Sequence, residues 1–179
     1  MLGSPIYSEI SWRGNSIFLI GSVHGAHTHF EEIVNRLEDF NPDVVLAEGN
    51  SLSGKAVEVR SARSYKQIDG SVAVKPLDTI PVRIADSPSS EESNYETVDE
   101  ENYKLGVIDA RKMGRTTTKI ARWLTKYGNR DLWDMAVEGR EDEMAEKIIE
   151  QIEGEGHSRI AVIFGSYHVF GIENIFDQL

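Results

Sequence analysis

Residues 16–48, SIFLIGSVHGAHTHFEEIVNRLEDFNPDVVLAE, constrain the fold more than any other stretch of the chain. An apolar run over 16–20 stops at Gly21-Ser22-Val23-His24, and a segment of helical periodicity follows. Thr28 and Glu31 have the spacing of a capping box, and Phe30, Ile33, Val34 and Leu37 then recur at i, i+3, i+4 and i+7. Asn41-Pro42 ends that helix, and DVVLAEG reads as a second buried strand. Strand, capped helix and strand in so short a space make a βαβ unit. Such a unit requires neighbouring parallel strands with a helix laid over their face.

The other end of the chain repeats this order. RIAVIF runs into Gly165-Ser166-Tyr167-His168, after which Ile172, Ile175, Phe176 and Leu179 fall on one helical face. The expected fold class is α/β, a central mainly parallel sheet flanked by helices, with two matched strand–GxxH–helix units. A chain of 179 residues suits a single three-layer domain over 1–179. Between the two units, IYSEISWRG, SVAVKPLD and VRIADS read as further strands. VIDARKMGRTTTKIARWLTKYG reads as a helix with Met113, Ile120, Leu124 and Tyr127 inward and Gly128 at its end. Residues 129–156 read as two helical pieces broken at Gly139, the second with Met144, Ile148 and Ile152 on one stripe. Arg140 prolongs that stripe toward its start, and a charge on a core-facing line needs a partner or a ligand.

The net charge of −11 argues against sequence-independent nucleic-acid binding, which needs a basic surface. Six acidic residues and no basic one lie in 87–102, SPSSEESNYETVDEEN, expected to be a solvated acidic loop. No run approaches the roughly 20 apolar residues of a membrane span, and no basic-then-apolar leader opens the sequence, so a cytoplasmic setting is expected. Oligomeric state stays open, a homo-oligomer included.

In an open parallel sheet the functional groups gather at the carboxyl ends of the strands. Three strands here end on such groups: IFLIGSVH on His24, VVLAEG on Glu48 and AVIFGSYH on His168. Two imidazoles and a carboxylate can hold a hydrolytic metal ion with one position open to water. With no cysteine in the chain, any ion must be held by nitrogen and oxygen ligands. Glu48 can instead serve as general base, and Arg140 can bind a substrate carboxylate, stabilise an oxyanion or act as a structural ion-pair partner. His27 is a further ligand if its turn is helical; His29 is expected to be exposed, and His157 to sit in a turn. Ser22 and Ser166 lie in no GxSxG elbow, and neither a Walker A motif nor GxGxxG occurs, so a serine nucleophile and nucleotide binding find little support.

The pieces IGSVH, PDVVLAEG, GREDEMAEKI and FGSYHVFG, in this order, resemble the TraB/TIKI family within a wider group that includes erythromycin esterase, the haem-binding ChaN proteins and a bacterial toxin domain. The likeness extends from residue 17 to near the C-terminus and is loose over 51–105. It implies a shared site at His24, Glu48, Arg140 and His168. It also implies a metal-dependent hydrolase cleaving peptide or amide bonds, with Mn²⁺, Co²⁺ or Zn²⁺ on His24, Glu48 and His168. Two alternatives stay open: a metal-free, esterase-like hydrolase in which a His activates water, and a non-catalytic module binding a signalling peptide or haem. The chain departs from the family at Gly139 and Glu141, where Glu and then Asn or Asp are usual, and it lacks the membrane segments many relatives carry.

Overall fold

The structure, a computed structural model, describes residues 5–22, 29–49, 52, 56–77, 82–84, 96–98, 119, 122–123, 126–128 and 130–179. At 82–84, 96–98, 131, 132, 135 and 136 it describes the backbone alone. The strands are β1 (Ile6–Trp12), β2 (Asn15–Ser22), β3 (Val44–Ala47), β4 (Ala73–Pro76), β5 (Val82–Ile84), β6 (Glu96–Val98) and β7 (Arg159–Gly165). The helices are α1 (Phe30–Phe40), α2 (Val57–Ile68), α3 (Arg130–Trp133), α4 (Gly139–Glu153) and α5 (Val169–Gln178).

β1 and β2 form a hairpin whose turn, Arg13-Gly14, has positive φ at both residues, the geometry that matches strand twist. The main sheet runs β1-β2-β7-β3-β4, and every pairing after the hairpin is parallel. The βαβ unit expected over 16–48 is therefore opened in space: β7 lies between β2 and β3 instead of leaving them adjacent. β7 suits the centre because all its residues from Ile160 to Gly165 are buried and it offers no polar face.

Two apolar layers follow from strand alternation. Ile17, Leu19, Leu46, Val162 and Phe164 meet Met144 and Ile148 of α4 and Ile172 and Phe176 of α5. On the opposite face Ile20, Val45, Ala161 and Ile163 meet Ile33 and Leu37 of α1 and Val57 and Tyr65 of α2. Each such aliphatic side chain contributes roughly 1.5–3 kcal/mol by leaving water.

Several local expectations change. α1 begins after His29, which makes no side-chain cap, and Thr28 of the expected capping box lies outside the described residues. Asn41 ends α1 in the left-handed conformation, its N–H bonded to the Leu37 carbonyl. The break expected at Gly139 is a π-helical stretch, Asp134–Glu138, whose widened turn continues into α4. A Cβ on Gly139 would sit 3.2 Å from the Asp134 carbonyl, so glycine suits that junction. Of the helix expected to end at Gly128, the described residues 119, 122–123 and 126–128 are helical, and Met113, Ile120 and Leu124 lie outside the description. Tyr127 does not face the core: it is 72% exposed and packs on Trp123, while Arg122 is the residue that turns inward. Within the acidic stretch, Glu96–Val98 is a strand, paired in parallel with β5, and the rest of 87–102 lies outside the described residues. Among the described residues no helix is long and apolar enough to cross a membrane.

Candidate active site at the strand ends

Because β2, β7 and β3 are parallel neighbours, their carboxyl ends share one edge of the sheet, with Ser22 opposite Gly165 and Ala47 opposite Ile163. Glu48 extends β3 by one further bond, its N–H donating to the Ile163 carbonyl at 2.8 Å. That step carries its side chain over the end of β7, where Oε2 accepts the Gly165 N–H at 2.5 Å. Oε1 accepts from Arg140 Nη2 at 2.8 Å. Arg140 lies one turn ahead of Met144, so packing of the Met144–Ile148 stripe on the sheet delivers the guanidinium to this edge. The two side chains retain 11% and 17% of their exposure, enough burial for each charge to depend on the other.

Beyond Gly165 the chain makes a single 3₁₀ turn, Ser166–His168, before α5. Gly21 makes this turn possible. A Cβ there would lie 2.6 Å from Val169 Cγ2 and 2.8 Å from Ser166 Cα. The first glycine of the paired GxxH motifs is thus a point of close packing between β2 and the turn that carries the second histidine.

His168 is buried, and its Nδ1 lies 3.1 Å from Glu141 Oε1. Glu141, 4% exposed, is in turn gripped by Arg122, with Nη1 on Oε1 at 2.5 Å and Nη2 on Oε2 at 3.0 Å. Arg122 also donates to the Tyr167 carbonyl at 2.5 Å, and its guanidinium lies over the rings of Trp133 and Tyr167. A carboxylate is an acceptor only, and the guanidinium fork takes up both of its oxygens. The proton between Glu141 and His168 therefore belongs on Nδ1, which leaves the lone pair on Nε2. Gly171 makes room for this arrangement: a Cβ at that position would overlap the Glu141 carboxylate.

The site residues inferred from sequence divide as follows. Glu48, Arg140 and His168 all lie at the ends of β3, α4's inward stripe and β7, with Glu48 and Arg140 in direct contact. His24 and His27 lie outside the described residues. His29 is buried, at 9% exposure, and its Nδ1 has no hydrogen-bond partner among the described residues, contrary to the exposed position expected of it. His157 sits in the connection between α4 and β7, 3.7 Å from Glu155. Sequence reasoning did not single out Arg122, and it noted Glu141 only as a departure from the family pattern. Gly171, a glycine between Phe170 and Ile172 in the helix after the second GxxH motif, was the available signal that a side chain approaches there.

Of the three residues on which the motif likeness places a divalent ion, His24 lies outside the described residues, which leaves Glu48 and His168 as the described donors. Glu48 already gives one oxygen to a guanidinium and the other to a backbone N–H. Among the described residues no group of three or more His, Asp or Glu is arranged to hold an ion. Comparison with protein-family models, curated proteins and solved structures returns no match for the chain.

Proposed function

We propose that the chain is a hydrolase acting at a carbonyl centre, on a peptide or amide bond or on an ester, with His168 as the general base toward water. The observation that carries this reading is the buried relay Arg122–Glu141–His168, which fixes one tautomer of an imidazole at a strand end. An imidazole so oriented has its basic nitrogen defined, as general base catalysis requires. Arg140, held by Glu48, supplies positive charge at the same edge of the sheet for the developing oxyanion.

The likeness of IGSVH, PDVVLAEG, GREDEMAEKI and FGSYHVFG to the TraB/TIKI family supports a hydrolytic reading and favours a peptide or amide substrate. The metal-dependent form of the reaction would require His24 to join His168 and Glu48. Because both Glu48 oxygens already accept hydrogen bonds, the metal-free form is the leading one.

The test is a panel of labelled peptides and p-nitrophenyl esters, run with EDTA and then with Mn²⁺, Co²⁺ or Zn²⁺, on wild type and His168→Gln. Turnover that ignores chelator and disappears in His168→Gln supports the proposal. Turnover that chelator abolishes and one ion restores replaces it with the metallohydrolase. Saturable binding without product under every condition replaces both with a binding module.

A further inference from the structure

A third carboxylate lies close to the same edge of the sheet and has no role in the reaction outlined above. Glu58, in the first turn of α2, is 1% exposed, and its Oε1 accepts a hydrogen bond from Ser22 Oγ. Ser22 is buried and is the last residue of β2. A carboxylate and a hydroxyl are a costly way to fill an interior that apolar side chains would fill equally well. What this pair supplies, and apolar packing does not, is direction. The helix N-terminus stabilises the carboxylate, and the carboxylate fixes the hydroxyl.

The contacts that follow lead to the reacting imidazole. Ser22 pairs with Gly165, whose N–H is held by Glu48. Its neighbour Gly21 is packed so closely that a Cβ there would collide with Ser166 and Val169, the residues that open the 3₁₀ turn and follow it. His168 is the last residue of that turn. The end of β2 is thus the floor on which the His168 turn rests, and Glu58 anchors that floor from α2.

We propose that Glu58 is a positioning residue for His168, acting through Ser22 and the close contact of Gly21 with the turn. This rests on the reading of His168 as the general base. Displacing the floor by a fraction of an ångström rotates the imidazole away from productive geometry, a loss that falls on turnover more than on binding. Arg122 and Glu141 orient the ring from one side, and the Glu58–Ser22 pair sets the height of the backbone beneath it.

The experiment compares Ser22→Ala, Glu58→Ala, their combination and Glu58→Gln with wild type by ¹H–¹⁵N spectra of the histidine rings. His168 is assigned by the signals lost in His168→Gln. The ring signals of His168 are expected to move alike in Ser22→Ala and Glu58→Ala and no further in the double variant. Glu58→Gln, which keeps an acceptor for Ser22, is expected to stay near wild type. On the substrate found for the wild type, kcat is expected to fall about 10- to 100-fold in the alanine variants with KM little changed. A wild type without hydrolytic activity defeats the functional reading, and the ring signals then decide the positioning role alone. Unmoved His168 signals in variants that remain folded by circular dichroism overturn the proposal, and should Glu58→Ala fail to fold, Ser22→Ala decides it.

Discussion

The two ends of β7 handle charge in opposite ways. At its amino end Asp43 accepts the N–H groups of Ser158 and Arg159 at 2.8 and 2.9 Å and the Ser158 hydroxyl at 3.0 Å. Arg159 donates to the Phe40 and Asn41 carbonyls and lies over the Phe40 ring. Asp43 remains exposed, so this is a latch made largely in water, where charges cost little and contribute little. At the carboxyl end, six buried residues further on, Glu48, Glu141, Arg122 and His168 are held in the interior or close to it. Desolvating those charges costs several kcal/mol per ion before pairing returns it. A fold in need only of closure can use the latch at both ends. The costly end is the one to which we assign the chemistry.

The sharpest way to break that contrast is Gly171→Ala. In an ordinary helix the change stabilises by up to about 1 kcal/mol. Here the new Cβ overlaps the Glu141 carboxylate, which must leave Arg122 and His168. The expected outcome is a loss of about 3–5 kcal/mol in urea unfolding. Combining it with Glu141→Ala removes the clash, so the double variant loses less than the two singles together. Stabilisation by Gly171→Ala would refute the relay's geometry.

Arg140→Ala ranks second. It strips a guanidinium from Glu48 and is expected to cost about 2–3 kcal/mol, less than a fully buried pair because both side chains keep some contact with water. Unfolding curves that match wild type would place this pair in the same class as the amino-end latch.

The smallest effect belongs to Asp43→Asn, about 0.5–1.5 kcal/mol at neutral pH. Desolvation alone would raise the Asp43 pKa, but the N–H groups of Ser158 and Arg159 outweigh it and hold the carboxyl below its ordinary 3.8. A depressed folded-state pKa gives stability that is present above the unfolded value and is lost as pH falls through the folded one. The Tm difference between wild type and Asp43→Asn should therefore persist at pH 6 and shrink below about pH 4. A difference that grows on acidification would contradict the assignment.

Much of this molecule is legible in its sequence where the determinants are local. The periodicity of Ile33, Val34 and Leu37, the Asn41-Pro42 stop and the apolar run of β7 each announce their element within a few residues. Glu48 and His168 follow from the rule that strand ends gather functional groups, and Arg140 from a charge on the core-facing stripe of its helix. The insertion of β7 between β2 and β3 is not written locally, because a strand more than 100 residues away competes for the same edges. Arg122 and Glu141 are likewise brought together across 19 residues. Arg122 is buried in this pairing, while Tyr127 lies on the outside despite its apolar spacing.

The most direct measurement is turnover by His168→Gln beside Asp43→Asn and wild type, on the peptide and ester panel, with folding checked by circular dichroism. The account predicts that the carboxyl-end variant loses about 10²- to 10⁴-fold in kcat while the amino-end variant keeps wild-type turnover. Undiminished turnover in a folded His168→Gln would contradict it.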